Sequence, residues 1–270
     1  MNERCDVVSL GGVQLRPTST VDARLSMLVW GDAGCGKTTL AATAPGHKLF
    51  VLMDPDGDVS LTTRSDCTIL DLSDQKYLQI IEKFRSDDPY GIERYLVTNP
   101  HVETVVWDSI TAYAYCALQE AVSKNRSSSM EQPGMHGYTW RNASVLRAAV
   151  SLMTITKRQK RNIIFVTHEA AAERDPSGNV VSITMSLSEG TANQVGLRLN
   201  EVWWMSDDGK QRKIAVRPCR LRSPMKTRMW DATRAEFTWR YDPMTQEGDG
   251  IADWFQRWQA SGGKKLPMPA

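Results

Sequence analysis

Few cysteines occur in the chain, and their spacing predicts neither a metal site nor a disulfide framework. The five are Cys5, Cys35, Cys67, Cys116 and Cys219. None of them forms a C-x-x-C pair, the spacing that is typical of structural zinc sites. Because unpaired cysteines suit a reducing compartment, we expect a cytoplasmic protein.

Long apolar runs are also missing. Charged residues at Glu3, Arg4, Asp6 and Arg16 interrupt the N-terminal segment, where a secretory signal would be apolar. No later stretch approaches the roughly 20 apolar residues that a membrane-spanning helix needs. We therefore expect a soluble protein without a membrane partner.

Neither sign of charge is in strong excess. The formal net charge of +2 is too small to predict nucleic-acid binding by itself. Positive residues cluster at 157–161 and 212–228, but such clusters are often solvated faces. With 41% hydrophobic residues the chain can bury one full core. We expect one domain at 23–259, preceded by an extension at 1–22 and followed by a disordered tail at 260–270.

What the chain does contain is a phosphate-binding motif. Residues 31–38, GDAGCGKT, fit G-x-x-x-x-G-K-[ST] at every fixed position. A predicted strand at 26–30 precedes the motif, and a predicted helix follows it from Thr39. Backbone N–H groups of such a loop surround phosphate oxygens, and the helix directs its positive end at them. The alternative is a glycine turn beside an unrelated lysine, although motif and context agree on the phosphate loop.

The motif predicts a site for ATP and Mg²⁺. Lys37 is expected to contact the β- and γ-phosphates, and Thr38 to ligate the metal. The predicted nucleotide-binding residues are Gly31, Asp32, Ala33, Gly34, Cys35, Gly36, Lys37, Thr38 and Thr39.

Apolar runs alternate with helical periodicity along the rest of the chain. The runs at 48–53, 104–108 and 162–167 predict buried strands. The periodicity predicts helices at 74–85, 109–124 and about 140–158, and shorter strands follow Glu169. This order predicts an α/β fold with a mostly parallel central sheet flanked by helices, and with extra short strands toward the C-terminus.

Asp108, Asp54, Asp56 and His168 all lie at the ends of predicted strands. Ligands of open α/β sheets bind at the carboxyl ends of strands, and Asp108, Asp56 and His168 are the candidate catalytic residues among these four. We expect Asp108 to hold Mg²⁺ together with Thr38, Asp56 to polarise the attacking water, and His168 to contact the γ-phosphate. The structural alternatives are a helix N-cap at Asp108, a tight turn at Asp56 and a strand-end histidine without a catalytic role.

The order of these segments resembles the short RecA-like ATPases of phages, a core-only group of Sak-type single-strand annealing recombinases. The resemblance is carried by residues 27–41, 52–57, 104–111 and 166–169. It implies a RecA-like P-loop core and an ATP-dependent protein that binds single-stranded DNA in recombination or annealing. It further implies slow, DNA-stimulated hydrolysis in the host cytoplasm, with a single-strand DNA-binding protein as a further partner. The family's catalytic glutamate and sensing glutamine correspond here to Asp56 and His168, which are departures.

The resemblance also implies two DNA-binding loops, at 123–138 and 170–194. The expected DNA-binding residues in and beside these loops are Lys124, Arg126, His136, Tyr138, Arg141 and Arg174. Cations suit the phosphates of a single strand, and planar rings suit its bases. The alternative for the first loop is a flexible surface connection.

Lys226 and Arg228 resemble the Lys-x-Arg finger that some family members insert into a neighbour's nucleotide site. A finger on one side and a site on the other make a heterologous interface, so we expect a head-to-tail homo-oligomer, as a ring or a filament. The alternative is that both cations simply solvate an exposed strand.

Three functions stay open on the sequence. The first is an ATP-dependent recombinase or annealing protein whose nucleotide state controls its DNA-binding loops. The second is a helicase-type or packaging motor on the same core, and the third is a RecA-fold regulatory ATPase that switches protein partners without DNA. DNA-stimulated turnover separates the first two from the third, and unwinding of a tailed duplex separates the first from the second.

Overall fold

A computed structural model of the chain describes residues 9–10, 13–14, 23–125, 129–219 and 221–269. An eight-stranded sheet lies at its centre, beside two pairs of short strands. The strands are β1 (Ser9–Leu10), β2 (Val13–Gln14), β3 (Ser26–Gly31), β4 (His47–Leu52), β5 (Cys67–Asp71), β6 (Val102–Asp108), β7 (Asn162–His168), β8 (Glu173–Arg174), β9 (Val180–Ser182), β10 (Glu201–Asp207), β11 (Arg212–Ala215) and β12 (Glu236–Trp239).

The α-helices are α1 (Lys37–Ala42), α2 (Tyr77–Phe84), α3 (Ile92–Thr98), α4 (Ile110–Lys124), α5 (Gly134–Arg158), α6 (Glu189–Leu197) and α7 (Ile251–Ala260). Two 3₁₀-helices span Gly57–Leu61 and Pro89–Gly91. In the part of the chain that the structure describes, no helix has both the length and the apolar character needed to cross a membrane.

The central sheet has the strand order β12-β11-β10-β3-β7-β6-β4-β5. Every neighbouring pair from β10 to β5 is parallel, whereas β11 and β12 add to the edge in antiparallel fashion. Parallel strands covered on both faces read as continuous apolar runs, which explains the runs in the sequence. The predicted α/β fold, with a mostly parallel sheet and extra strands toward the C-terminus, is confirmed.

Two apolar clusters cover the two faces of the sheet. Alternate residues of β3 contribute to different clusters, with Leu28 and Trp30 on one face and Met27 and Val29 on the other. The first cluster packs α2, α4 and α5 against the sheet, and the second packs α1 and α7. Because both faces are buried, side chains that must meet a ligand are confined to the strand ends.

The strand register brings the ends of four strands together. Gly31 at the end of β3 lies opposite His168 at the end of β7. Asp108 at the end of β6 lies opposite Val166 of β7 and Leu52 of β4. The phosphate loop that follows Gly31 therefore emerges at the edge where Asp108 and His168 also lie.

Several predicted bounds differ from the structure. Helix α5 begins at Gly134, about two turns before the predicted start at Trp140, so the last five residues of the predicted first DNA loop, 134–138, are helical. Strand β5 was not predicted, because it is a half-exposed edge strand without a continuous apolar run. The segment after α7 was expected to be disordered, but Asp231 N donates to Leu266 O at 2.8 Å and Met268 is buried in the second cluster. The apolar side chains of Leu266 and Met268 pack on the second cluster and anchor this segment.

Candidate nucleotide site

The phosphate loop connects β3 to α1, and its first residue, Gly31, lies very close to the backbone of β10. A β-carbon placed on Gly31 would lie 2.0 Å from the carbonyl oxygen of Met205 on β10. No residue with a side chain fits this position unless β10 moves away. Gly36 has φ 96°, in the left-handed region that favours glycine, and it precedes the first residue of α1. The fixed glycines of the motif therefore have steric roles in this chain.

The Lys37 side chain lies inside the loop. Its ammonium donates to Gly31 O at 3.1 Å and to Asp32 O at 2.6 Å, and the residue is only 5% exposed. The loop carbonyls thus hold a positive charge at the position where the motif requires a phosphate-binding cation.

Thr38 and Asp108 meet across the strand ends. Thr38 Oγ1 donates to Asp108 Oδ2 at 2.5 Å. Burial raises the pKa of Asp108 to about 6, and the charge of Asp54 adds to this rise, while the Thr38 hydrogen bond opposes it. A hydroxyl and a carboxylate are hard oxygen ligands of the kind that Mg²⁺ prefers. Because Mg²⁺ usually takes its remaining ligands from water and substrate phosphates, this pair fits the expected metal.

Asp54 is the second carboxylate of the cavity. His168 Nε2 lies 3.4 Å from Asp54 Oδ2. Burial opposes ionisation of Asp54, but hydrogen bonds from His168 and Ser109, with the nearby charge of Lys37, outweigh it and lower the pKa. An ionised carboxylate that is held by a histidine can accept a proton or orient a water.

A cavity of about 300 Å³ joins these groups, since Lys37, Thr38, Asp54, Asp108 and His168 all line it. Its volume suits the phosphates of a nucleotide rather than a whole nucleoside triphosphate. Sequence reasoning placed Lys37, Thr38, Asp108 and His168 at one edge of the sheet, and the structure brings them together there.

Asp56, the carboxylate predicted to polarise water, does not line this cavity. It is exposed in the turn before the 3₁₀-helix at 57–61 and has φ 58°. The turn alternative for Asp56 therefore describes its position, and Asp54 occupies the place beside His168. The signal for Asp54 was its position directly after Met53, which is buried and is itself the first residue after β4.

Arg212 also lines the cavity, and sequence reasoning did not place it there. Its position on β11 lies far from the phosphate loop in the sequence, and it was visible only as one member of a basic cluster. Pairing of β10 with both β3 and β11 brings it to the loop.

Lys124 and Trp140, next to the predicted first DNA-binding loop, are bound to one buried carboxylate. Lys124 Nζ lies 2.7 Å from Glu120 Oε1, and Trp140 Nε1 lies 2.9 Å from Glu120 Oε2. Arg85 adds a third bond to Glu120 at 2.5 Å. The charge of Lys124 is therefore paired within the chain.

Three other predicted DNA-binding residues lie on the first two turns of α5. His136 and Tyr138 are exposed, and the guanidinium of Arg141 lies 5.0 Å from the centre of the Tyr138 ring. Arg126 lies outside the described residues. The predicted second loop contains the β8–β9 hairpin, where the exposed Arg174 donates to Gly178 O at 2.8 Å.

Lys226 and Arg228 have different surroundings. Lys226 Nζ donates to Leu199 O at 2.6 Å and to Leu197 O at 3.3 Å, at the C-terminal end of α6. Burial lowers the pKa of Lys226, and the nearby charge of Arg228 lowers it further. Arg228 is exposed, and its guanidinium forms no hydrogen bond with another described residue. Both residues lie beside the start of β10, at the sheet edge opposite the phosphate loop.

Comparisons with known proteins give a family and similar solved structures. Residues 23–224 match a family described as AAA domain, and this segment is well over half of the chain. No curated protein matches the chain. Among solved structures, a crystal structure of the RadB recombinase is similar at 16% identity and a TM-score of 0.45, with 82% of this chain and 88% of that chain covered.

Proposed function

The chain belongs to the AAA domain family, and from this premise we propose that it is an ATPase whose nucleotide state controls its affinity for single-stranded DNA. The observation that carries the proposal is the 2.5 Å contact between Thr38 and Asp108 in a cavity that Lys37 also lines. Two segments far apart in sequence supply a cation and a pair of metal ligands at one place. This combination is the minimum that phosphoryl transfer from ATP requires.

Each residue of the cavity has a separate role in this proposal. Thr38 and Asp108 would hold Mg²⁺, which when bound would supply positive charge beside the phosphates. Lys37 binds the same phosphates from the loop. Asp54 orients the attacking water and accepts its proton, and His168 fixes the Asp54 carboxylate.

In this proposal, backbone hydrogen bonds after His168 connect the nucleotide site to the residues that bind DNA. Ser186 N donates to His168 O at 2.8 Å, and Ala170 N donates to Thr184 O at 2.8 Å. One hydrogen bond therefore ties Ser186, which follows the β8–β9 hairpin, to the end of β7, and the other joins the two segments that flank the hairpin. A shift of His168 on nucleotide binding would move the base of this hairpin, which corresponds to the second DNA loop of the resemblance.

The DNA-contacting residues that we propose lie on this hairpin and on the start of α5. Tyr138 and His136 offer exposed rings, and Arg141 and Arg174 offer cations. Rings for stacking and cations for phosphates are the two ingredients of sequence-tolerant single-strand binding. In line with the resemblance to Sak-type phage proteins, we propose annealing or recombination as the process, and a single-strand DNA-binding protein as a further partner.

Assembly forms part of the same proposal. Arg228 is exposed and without a guanidinium partner among the described residues, so it is available to a neighbouring copy. Its place opposite the phosphate loop is where a head-to-tail interface needs a finger. Lys226 supports the finger reading less well, because its ammonium is bound to carbonyls of its own chain.

A regulatory ATPase that switches protein partners is the second candidate. The observation that favours it is the cluster around Glu120, which neutralises Lys124 and encloses Trp140 where free DNA-binding groups were expected. ATP turnover measured with and without single-stranded DNA separates the two. Stimulation by DNA supports the first candidate, whereas turnover that ignores DNA supports the second. Absence of ATP binding contradicts both.

A further inference from the structure

Arg212 brings a second cation to the phosphate loop from the same chain. A β-carbon placed on Gly36 would lie 3.3 Å from Arg212 Nε and 3.4 Å from its guanidinium carbon. The side chain thus packs directly against the last glycine of the motif. It lines the cavity that also contains Lys37, Thr38 and Asp108.

The strand pairing fixes the place of this guanidinium. Met205 of β10 pairs with Gly31 of β3, and Asp207 of β10 pairs with Arg212 of β11. Arg212 is therefore connected to the phosphate loop through two adjacent strand pairs. A residue carried by a sheet rather than by a loop is held with little freedom.

The immediate contacts of Arg212 use only part of its hydrogen-bonding capacity. Nε lies 3.3 Å from Asp207 Oδ2, and the guanidinium carbon lies 5.8 Å from the centre of the Trp239 ring. Neither terminal nitrogen forms a hydrogen bond with another residue in the described part of the chain. The four N–H groups of these two nitrogens belong to a rigid fork whose geometry matches a phosphate, and they are left for a ligand.

We propose that Arg212 is a phosphate-binding residue supplied in cis, which contacts the nucleotide beyond its α-phosphate. The proposal rests on the proposed function, since it requires a nucleotide in this cavity. The cavity holds the carboxylates of Asp54 and Asp108, and bound ATP adds further negative charge, so a cation in addition to Lys37 and the expected Mg²⁺ would reduce the repulsion. Arg212 supplies the additional cation without a neighbouring copy. The exposed Arg228 would then supply a further cation, needed for hydrolysis rather than for nucleotide binding, when copies assemble.

The test compares the affinities of the full chain for ATP, ADP and AMP by calorimetry in the presence of Mg²⁺. Arg212→Ala is expected to weaken ATP and ADP binding about tenfold or more, because it removes charge-assisted hydrogen bonds to phosphate. AMP binding should change far less. Arg212→Lys keeps the charge without the fork and should give an intermediate loss.

Lys213→Ala is the matched control. Lys213 is the next residue of β11, so its side chain points to the opposite face, where it pairs with Asp208 at 3.7 Å. The affinity of the Lys213→Ala variant for each of the three nucleotides should be within about twofold of that of the wild type. Arg212→Gln is the second variant if Arg212→Ala does not fold, because it keeps much of the packing against Gly36.

The outcomes separate the inference from the function on which it rests. If the wild type binds no ATP, the proposed function fails. If the wild type binds ATP and the Arg212 variants bind ATP and ADP as tightly as Lys213→Ala, the nucleotide site stands and the cis role of Arg212 is overturned. An equal loss for AMP, ADP and ATP would also overturn it, since the contact would then not lie beyond the α-phosphate.

Discussion

Thr38 donates a hydrogen bond of 2.5 Å to Asp108, although 70 residues separate them in the chain. The hydroxyl comes from the first turn of α1, and the carboxylate comes from the end of β6. Parallel pairing of β3, β7 and β6 is what brings the two together. The contact therefore depends on the fold of the whole core and not on the local motif.

Substitution of Lys37 or of Asp108 should remove nearly all ATP turnover while the fold is retained. Lys37→Ala removes the loop cation, and Asp108→Asn removes the charge that holds the metal, so each should lower ATP turnover about a hundredfold or more. Phosphate release measured at saturating ATP checks this, with Lys83→Ala, an exposed lysine on α2, as the control. Wild-type turnover in Lys37→Ala would remove the basis of the ATPase proposal.

Asp54 and Asp56 should differ sharply in their effect on turnover. Asp54 lies in the cavity beside His168, whereas Asp56 is exposed in the following turn. Asp54→Asn should therefore lower single-turnover hydrolysis about a hundredfold, with ATP affinity nearly unchanged. Asp56→Asn should remain close to the wild type, because asparagine tolerates the left-handed conformation at this position. The reverse ranking would restore Asp56 as the candidate base.

The choice between these two aspartates shows what the sequence predicts and what it does not. Buried strands, the phosphate loop and the carboxyl ends of β6 and β7 were all predicted, because continuous apolar runs and one local motif define them. Whether Asp54 or Asp56 points into the cavity depends on the backbone angles after Met53. No sequence pattern predicts those angles. The position of Arg212 beside the phosphate loop depends on the order of strands in the sheet. Hydrophobic periodicity along the chain does not predict that order.

The structure differs from the predicted bounds of the first DNA loop for a related reason. A serine- and glycine-rich composition was taken as a loop, yet α5 begins at Gly134, where tertiary packing of Gly137 and Val145 overrides weak local propensity. Pairing of Lys124 with Glu120 one turn earlier was visible as an i, i+4 spacing, and it was the available signal that this cation is satisfied within its own helix.

DNA affinity should respond to Tyr138 more than to Lys124. Because stacking contributes about 1 to 3 kcal/mol per base, Tyr138→Ala should weaken binding of an oligothymidine at least fivefold in the presence of a non-hydrolysable ATP analogue. Lys124→Ala should change DNA affinity less and lower thermal stability, since it opens the cluster around Glu120. Fluorescence anisotropy measures the affinity, and Tyr115→Ala, an exposed tyrosine on α4, is the control.

The same titrations should depend steeply on salt. Counterions released from phosphates drive such binding, so the logarithm of the affinity is expected to fall linearly with the logarithm of salt concentration. Arg126→Ala, which tests a residue outside the described part of the chain, should reduce this slope. Binding that ignores salt, or equal effects of the Tyr138 and Tyr115 variants, would count against the DNA-binding surface proposed at α5.

Asp66 should make stability depend on pH. It accepts bonds from Arg64 Nε at 2.8 Å and Nη2 at 2.6 Å, and another from the buried Lys48. Burial opposes ionisation of Asp66, but the bonds from Arg64 and Lys48 outweigh it and hold its pKa well below the usual range. A carboxyl whose pKa is lower in the folded state stabilises the fold above its unfolded pKa of about 3.9, and this stabilisation is lost as pH falls further.

Asp66→Asn should therefore lower the free energy of unfolding at pH 7 by about 1 to 2 kcal/mol, a value reduced by the partial exposure of the Asp66 side chain. The difference from the wild type should shrink as pH falls from about 4 toward 2. Urea denaturation at each pH measures it, with Asp87→Asn as an exposed control. A difference that does not change with pH would mean that packing, and not charge, explains the loss.

Mixing of inactive variants should distinguish the arginine that acts within a chain from the one that acts between chains. Arg228→Ala subunits keep the phosphate loop, and Lys37→Ala subunits keep Arg228. In a random equimolar mixture, about one quarter of the head-to-tail interfaces combine an intact loop with an intact finger, so about a quarter of the wild-type turnover should return. Arg212→Ala mixed with Lys37→Ala should give no turnover beyond that of Arg212→Ala alone, because Arg212 and Lys37 must belong to the same chain to form one site. Equal rescue in both mixtures would place Arg212 at an interface, and no rescue in either, together with a wild type fully active as a dilute monomer, would reject the finger at Arg228.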